Sequence, residues 1–252
     1  MNLIIDIGNN CTKMAIFDGK KKEISFRIKQ FTSERMQKLC EPYVKKLNKA
    51  IISSVSNIPP FVIDLLTRGI PYVHILSHKS ILPFKNEYET PETLGSDRIA
   101  AVAGAYYHFP GKKILIIDAG SAITYDFLSD KTFKGGNISP GLSMRFKALH
   151  NFTGKLPLAS STITYSSPGK NTLEAITAGV VNGLIYEINE NIRTFENKYP
   201  GIKIILTGGD SGYLRERLEY KVEYMPDIVY EGLNYILEHN SKQIPDKYKD
   251  HS

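Results

Sequence analysis

The feature that most constrains this chain is a figure that occurs twice. Near the N-terminus, Asn2-Leu3-Ile4-Ile5-Asp6-Ile7-Gly8-Asn9-Asn10-Cys11-Thr12-Lys13-Met14-Ala15-Ile16-Phe17 runs as an apolar stretch, an acid, a glycine turn and a resumed alternation. The stretch Lys113-Ile114-Leu115-Ile116-Ile117-Asp118-Ala119-Gly120-Ser121-Ala122-Ile123-Thr124-Tyr125-Asp126-Phe127 repeats it. Each copy reads as strand, tight turn, strand, with Asp6 or Asp118 held at the rim of a sheet. One Asp-x-Gly is a common hairpin signal. Two copies predict a duplicated α/β domain with a cleft between two facing turns.

Such turns have a defined chemistry. Glycine lets backbone approach a ligand closely, and turn N–H groups face phosphate oxygens well. A carboxylate beside a phosphate needs a cation between them. The pair of turns therefore suits a nucleotide polyphosphate with its metal.

At 252 residues the chain is long enough for one sizeable core or two modest ones. Its net charge of +6 comes from scattered lysines without aromatic interleaving, which argues for a solvated basic surface and against a nucleic-acid partner. Two cysteines, Cys11 and Cys40, make neither a disulfide framework nor a zinc motif, in keeping with a reducing cytoplasm. The N-terminus enters a strand directly, unlike a signal peptide, and no apolar run approaches the ~18 residues of a membrane span. The expected location is cytoplasmic, with no membrane partner.

In chain order, strands are expected over 12–18 and 23–29, joined by Asp18-Gly19-Lys20. A helix begins at Ser33, a buried strand covers 50–55, Pro59-Pro60 opens a short helix, and a strand follows at 72–76. Residues 81–93 read as a loop. Gly95-Ser96-Asp97-Arg98 then opens a helix so rich in small residues that it should lie deep between the two halves. In the second half, strands are expected at 114–118, 122–127 and 132–137. Gly135-Gly136-Asn137-Ile138-Ser139-Pro140-Gly141 reads as a glycine-bearing loop feeding a helix at 142–149. A long helix from Thr172 carries Ala175, Gly179 and Gly183 on one face, a spacing that suits close helix contact within a subunit or across a dimer. A strand at 203–206 ends in Thr207-Gly208-Gly209, a turn with backbone donors for a nucleotide. An edge strand at 219–224, a helix at 229–237 and a fraying polar tail at 243–252 close the chain. The halves are expected as residues 1–112 and 113–252.

Six motifs in order then carry a resemblance: Asp6-Ile7-Gly8-Asn9, Gly95-Ser96-Asp97-Arg98, Asp118-Ala119-Gly120-Ser121-Ala122, Gly136 with Pro140-Gly141, Asn171-Thr172, and Thr207-Gly208-Gly209. Together they resemble the type III pantothenate kinases over residues 2–237. The specific element is the Gly-x-Asp-Arg helix start placed between two Asp-x-Gly turns.

The resemblance implies two ribonuclease-H-like domains of the actin-like ATPase fold, with mixed five-stranded sheets and a cleft between them. It also implies a homodimer whose site is shared across the interface. The implied activity is ATP-dependent phosphorylation of pantothenate, the first step toward coenzyme A. By position, Asp97 is similar to the general base. Tyr88, Gly95, Ser96, Asp97, Arg98 and Thr172 are similar to pantothenate-binding positions, with Thr172 reaching the neighbouring subunit. Asp6, Ile7, Gly8, Asn9, Asn10, Cys11, Thr12 and Lys13 would hold ATP, together with Ser121. Asp6 would take Mg2+ through water, and Asp118 a monovalent cation, K+ or NH4+. The family more often carries threonine at Asn10 and at Ser121; both replacements keep a short hydrogen-bonding side chain. Alternatives of other kinds are a different small-molecule kinase of this fold and a non-catalytic regulatory binding protein of the same family.

Overall fold

The computed structural model describes residues 1–243. Apart from Gln243, the expected polar tail lies outside the described residues. The backbone groups into two compact units, Met1–Pro110 together with the segment from Asp227, and Gly111–Pro226.

In the first unit β1 (Asn2–Ile7), β2 (Thr12–Asp18) and β3 (Lys21–Ile28) form an antiparallel meander. After α1 (Ser33–Cys40) come β4 (Lys49–Ser54), α2 (Pro60–Gly69) and β5 (Tyr72–Ile75). Both of these strands run parallel to β1, giving the order β3-β2-β1-β4-β5. Thr32 caps α1 by accepting from Arg35 N, and Gly19 takes φ +57° in the β2–β3 turn, a conformation that favours glycine. Every residue of β1 is buried. Ile5, Met14, Ile52, Val62 and Leu66 form the core on the α1/α2 side. Each such side chain contributes about 1.5–3 kcal/mol by leaving water.

The other face of this sheet is covered by α7 (Ile228–Ser241), which packs along α3 (Ser96–His108) and touches β1 and β4. Small residues set this spacing. A Cβ on Gly104 would collide with the Ile228 carbonyl, and one on Gly232 with the Ala100 carbonyl. The small-residue helix α3 thus has a close partner, and that partner is the last helix of the chain. Sequence order alone assigns α7 to the half that follows residue 112. Its apolar face instead belongs to the first unit, with Asn234 Nδ2 donating to the Gly19 carbonyl (2.9 Å) and Asn2 Nδ2 donating to Asn234 Oδ1 (2.8 Å).

The second unit repeats the plan. Here β6 (Ile114–Ala119), β7 (Ala122–Ser129) and β8 (Thr132–Pro140) form the meander, while β9 (Lys203–Thr207) runs parallel to β6 and β10 (Glu223–Tyr224) runs parallel to β9. Within this unit the strands follow the order β10-β9-β6-β7-β8. Between them lie α4 (Leu142–Asn151), the long α5 (Thr172–Lys198) and the short α6 (Ser211–Arg215). Ile117, Ile123, Val181, Leu184 and Leu206 sit in this unit's core.

Three expectations change. Residues 135–140 are not a loop but the second half of β8, paired with β7 through Ile123↔Ser139 and Tyr125↔Asn137. The irregularity at Phe127/Leu128 and the φ of +105° at Gly135 absorb the glycine pair within the ladder. The edge strand expected over 219–224 shortens to Glu223–Tyr224. The loop at 81–93 contains a helical turn at Pro91–Thr93.

Candidate active site

In the first unit the β1–β2 turn spans four residues, Gly8 to Cys11, closed by Gly8 N donating to the Cys11 carbonyl (3.2 Å). Asn9 and Asn10 are exposed at its tip, and Ile7 and Thr12 are buried at its base. The sheet register sets Asp6 beside Lys13 on β2 and Ser53 on β4. Asp6 is only 3% exposed, with Lys13 Nζ at 3.7 Å. Burial pushes its carboxyl above the usual range; Lys13 and the Ser53 hydroxyl pull the other way, and the charge of Asp97 adds to the rise.

Asp97 reaches this cluster through the start of α3. Gly95 is the N-cap, and a Cβ there would meet Asp97 Oδ1 at 2.5 Å, so glycine leaves the carboxylate its room. The same oxygen accepts from Arg98 N (2.8 Å), which fixes the side chain against the helix N-terminus. Arg98 is 5% exposed, and its guanidinium lies over the Tyr88 ring at 5.4 Å. Tyr88 N donates to Asn86 Oδ1 (3.0 Å). Ser96 Oγ donates to the Ser54 carbonyl (3.2 Å). The structure thus brings Asp6, Lys13, Ser96, Asp97, Arg98 and Tyr88 together within one unit.

In the second unit the equivalent turn has two residues, Gly120 and Ser121, closed by Gly120 N donating to the Ala122 carbonyl (3.0 Å). The register sets Asp118 between Thr124 and Thr207. Backbone crowds this turn. A Cβ on Gly141 would strike the Gly120 carbonyl, and one on Gly208, at φ +97°, would strike Asp118 Oδ1 and the Ala119 carbonyl. Directly after Thr207-Gly208-Gly209, Asp210 N is already engaged, donating to the Ala119 carbonyl (2.9 Å). Thr172 is exposed at the first turn of α5, after Asn171, whose side chain caps the helix by accepting from Glu174 N (3.0 Å).

Two residues escaped sequence reasoning. Ser53 looks like part of a buried strand, and only the parallel register reveals it facing Asp6. Tyr230 on α7 is the other: burial raises its hydroxyl pKa, and the negative charge of Asp6 adds to the rise. No local signal links it to a turn at the opposite end of the chain.

Asp6 fits a divalent ion of the kind that keeps most of its water shell. Its buried carboxylate is only partly compensated by a lysine at 3.7 Å. Among the described residues no group of three or more His, Cys, Asp or Glu side chains forms a metal cage, which leaves waters and phosphates to complete any shell. At Asp118, a Cβ on Gly208 would lie 2.4 Å from both Asp118 Oδ1 and the Ala119 carbonyl oxygen, so the glycine leaves two hard oxygens beside one small space, a donor type that suits a simple cation.

Two mixed sheets, each with an acid two residues before its first strand-to-strand turn, give the actin-like ATPase fold. Solved structures agree on the fold. A Campylobacter jejuni protein named for the Baf family of transcriptional activators superposes with a TM-score of 0.62 at 22% identity, covering 95% of this chain and 99% of its own. The activator of 2-hydroxyisocaproyl-CoA dehydratase from Clostridium difficile, solved with ADPNP, gives 0.55 at 11% identity, covering 100% and 98%.

Residues 2–194 match the type III pantothenate kinase family. A type III pantothenate kinase of Bacteroides fragilis (strain YCH46) is 44% identical over 97% of this chain and 100% of its own length. The chain belongs to the type III pantothenate kinase family. Membership brings with it ATP and a divalent metal. Among the described residues, no helix is long and apolar enough to cross a membrane.

Proposed function

We propose that this chain transfers the γ-phosphoryl group of ATP to the primary hydroxyl of pantothenate, with Asp97 as general base. The observation that carries the reading is the cluster of the first unit, where Asp97 and Arg98 open a helix tied to the buried Asp6. Phosphoryl transfer needs positioning and charge neutralisation more than covalent chemistry. Asp97 accepts the hydroxyl proton as the new O–P bond forms. Arg98, held over the Tyr88 ring, grips the pantothenate carboxylate in a bidentate fork that lysine lacks. Gly95 and Ser96 line the same helix start, and the turn from Asp6 to Lys13 holds phosphates, with Ser121 a further ATP contact.

Magnesium, held by Asp6 through water, would neutralise phosphate charge; potassium or ammonium at Asp118 would do so beside the second turn. The chain acts as a homodimer, with Thr172 completing the partner's pantothenate site. In support, a Cβ on Gly179 or Gly183 would meet nothing within 4 Å, while Tyr186 on the same helix is 64% exposed. The two glycines therefore leave room along α5 that the described chain does not fill.

The test is ADP release with ATP and magnesium, with and without pantothenate, in potassium and then sodium buffer. Pantothenate-dependent turnover that rises with potassium is expected. A folded protein that binds ATP yet ignores pantothenate overturns the reading.

A further inference from the structure

Three features outside the assigned roles stand out. A cavity of about 530 Å³ beside α1, lined by Met36, Leu47, Leu66 and Ile70 but also by Glu34, Lys38 and Glu41, is only partly apolar, and nothing in the structure shows what would fill it. In the second unit, Glu187 binds Arg145 and accepts from Tyr125 OH (2.8 Å), a knot that fastens α4 to α5. The third feature reaches further, because it joins the two ends of the proposed reaction.

Ser53 is fully buried, at 0% exposure, on β4. Its Oγ donates to Asp6 Oδ1 (3.0 Å) and stands 2.9 Å from Ser96 Oγ, which in turn lies 3.2 Å from the Ser54 carbonyl. Carboxylate, hydroxyl, hydroxyl and carbonyl therefore form one continuous chain. It starts at the acid of the phosphate turn, passes through Ser96, the residue directly before Asp97, and ends on the Ser54 carbonyl. A hydroxyl carries a single proton, so with Ser53 donating to Asp6 it is Ser96 that donates, shared between Ser53 Oγ and the Ser54 carbonyl.

We propose that Ser53 is a positioning residue, whose hydroxyl holds the Asp6 turn and the Asp97 helix start in register for phosphoryl transfer. It touches neither substrate, and it acts through Asp6 and Ser96. This rests on the kinase reading given above. A packing role alone would tolerate any side chain of similar size, whereas a hydrogen-bonded joint requires the hydroxyl. Small misplacement of reacting groups costs turnover steeply, on the order of 10- to 100-fold for a displacement near 1 Å.

The experiment compares Ser53→Ala, Ser53→Thr, Ser96→Ala and the double Ala variant. It measures kcat and KM for both substrates, ADP binding by calorimetry, and thermal unfolding. Ser53→Ala is expected to lower kcat by roughly 10- to 100-fold, with pantothenate KM and ADP affinity changed far less. Ser53→Thr should recover most of the turnover. The double variant should fall little below the worse single one, since both break the same chain. An unchanged kcat in folded Ser53→Ala, a Thr variant as impaired as Ala, or fully multiplicative losses would each overturn the proposal. If Ser53→Ala does not fold, Ser96→Ala breaks the chain one link further on and is judged on kcat with an unchanged pantothenate KM, since a raised KM reports lost substrate contact instead. A wild type without pantothenate-dependent ADP release overturns the kinase reading and the positioning role with it; active wild type with indifferent variants overturns the positioning role alone.

Discussion

The two Asp-x-Gly turns share a sequence figure but are built differently. Around Asp6 the neighbours are side chains: Lys13, Ser53 and, through Ser53, Ser96. At the second turn Asp118 lies between Thr124 and Thr207, and backbone crowds in as well, admitted by Gly141 and Gly208. The first turn is longer and carries exposed Asn9 and Asn10; the second has only Gly120 and Ser121. A turn surrounded by polar side chains is suited to adjust charge, whereas one enclosed by backbone is suited to hold a fixed shape. The two units keep the same strand order while the chemistry of their turns diverges.

The largest effect should come from Asp6→Asn, with turnover falling by about 100-fold or more if its charge helps neutralise phosphate. Stability should move the other way. Burial raises the Asp6 pKa in the fold, so the folded state binds protons more tightly than the unfolded chain. Stability therefore falls as pH rises from the ordinary value of 3.8 through the raised one, and it stays lower above that window. The Asn variant escapes this cost, and its melting temperature at neutral pH should exceed wild type by a few degrees, about 2–4 °C per kcal/mol. A lower melting temperature would show Lys13 and Ser53 outweighing burial.

Gly208→Ala should be the most damaging change to the second turn's shape. It combines φ +97° with a backbone collision, and a loss of about 2–3 kcal/mol in denaturant unfolding is expected. A neutral result would show that the enclosure yields easily. Asp118→Ala should blunt potassium activation by several-fold while sparing the fold; an unchanged potassium response would place the cation elsewhere.

The smallest effect is expected at Glu187. Burial pushes its carboxyl up, but hydrogen bonds from Arg145 and Tyr125 prevail and hold it below the ordinary 4.5. Its contribution is present above that value and is lost as pH falls through the lowered one. Glu187→Gln should cost about 1 kcal/mol at neutral pH, and the gap from wild type should narrow in acid. A constant gap would mean that charge is not the cause.

Much of this was legible in the sequence because it is local. The apolar run before Asp6, the capped start of α1 and the small residues of α3 each declare themselves within a few positions. What was not legible depends on distant partners. Residues 135–140 carry turn-forming glycines, yet pairing with β7 holds them as a strand. The periodicity of α7 predicts a helix but not that Gly232 meets Ala100 in the first unit. Ser53 has no motif at all, and its place beside Asp6 emerges only when β4 lies parallel to β1.

The most direct measurement is the turnover of Asp97→Asn, taken together with its calorimetric affinity for pantothenate. The account predicts a folded protein that binds pantothenate nearly as wild type does, with kcat lower by roughly 100-fold or more. Near-normal turnover in that variant would contradict it and remove Asp97 as the base.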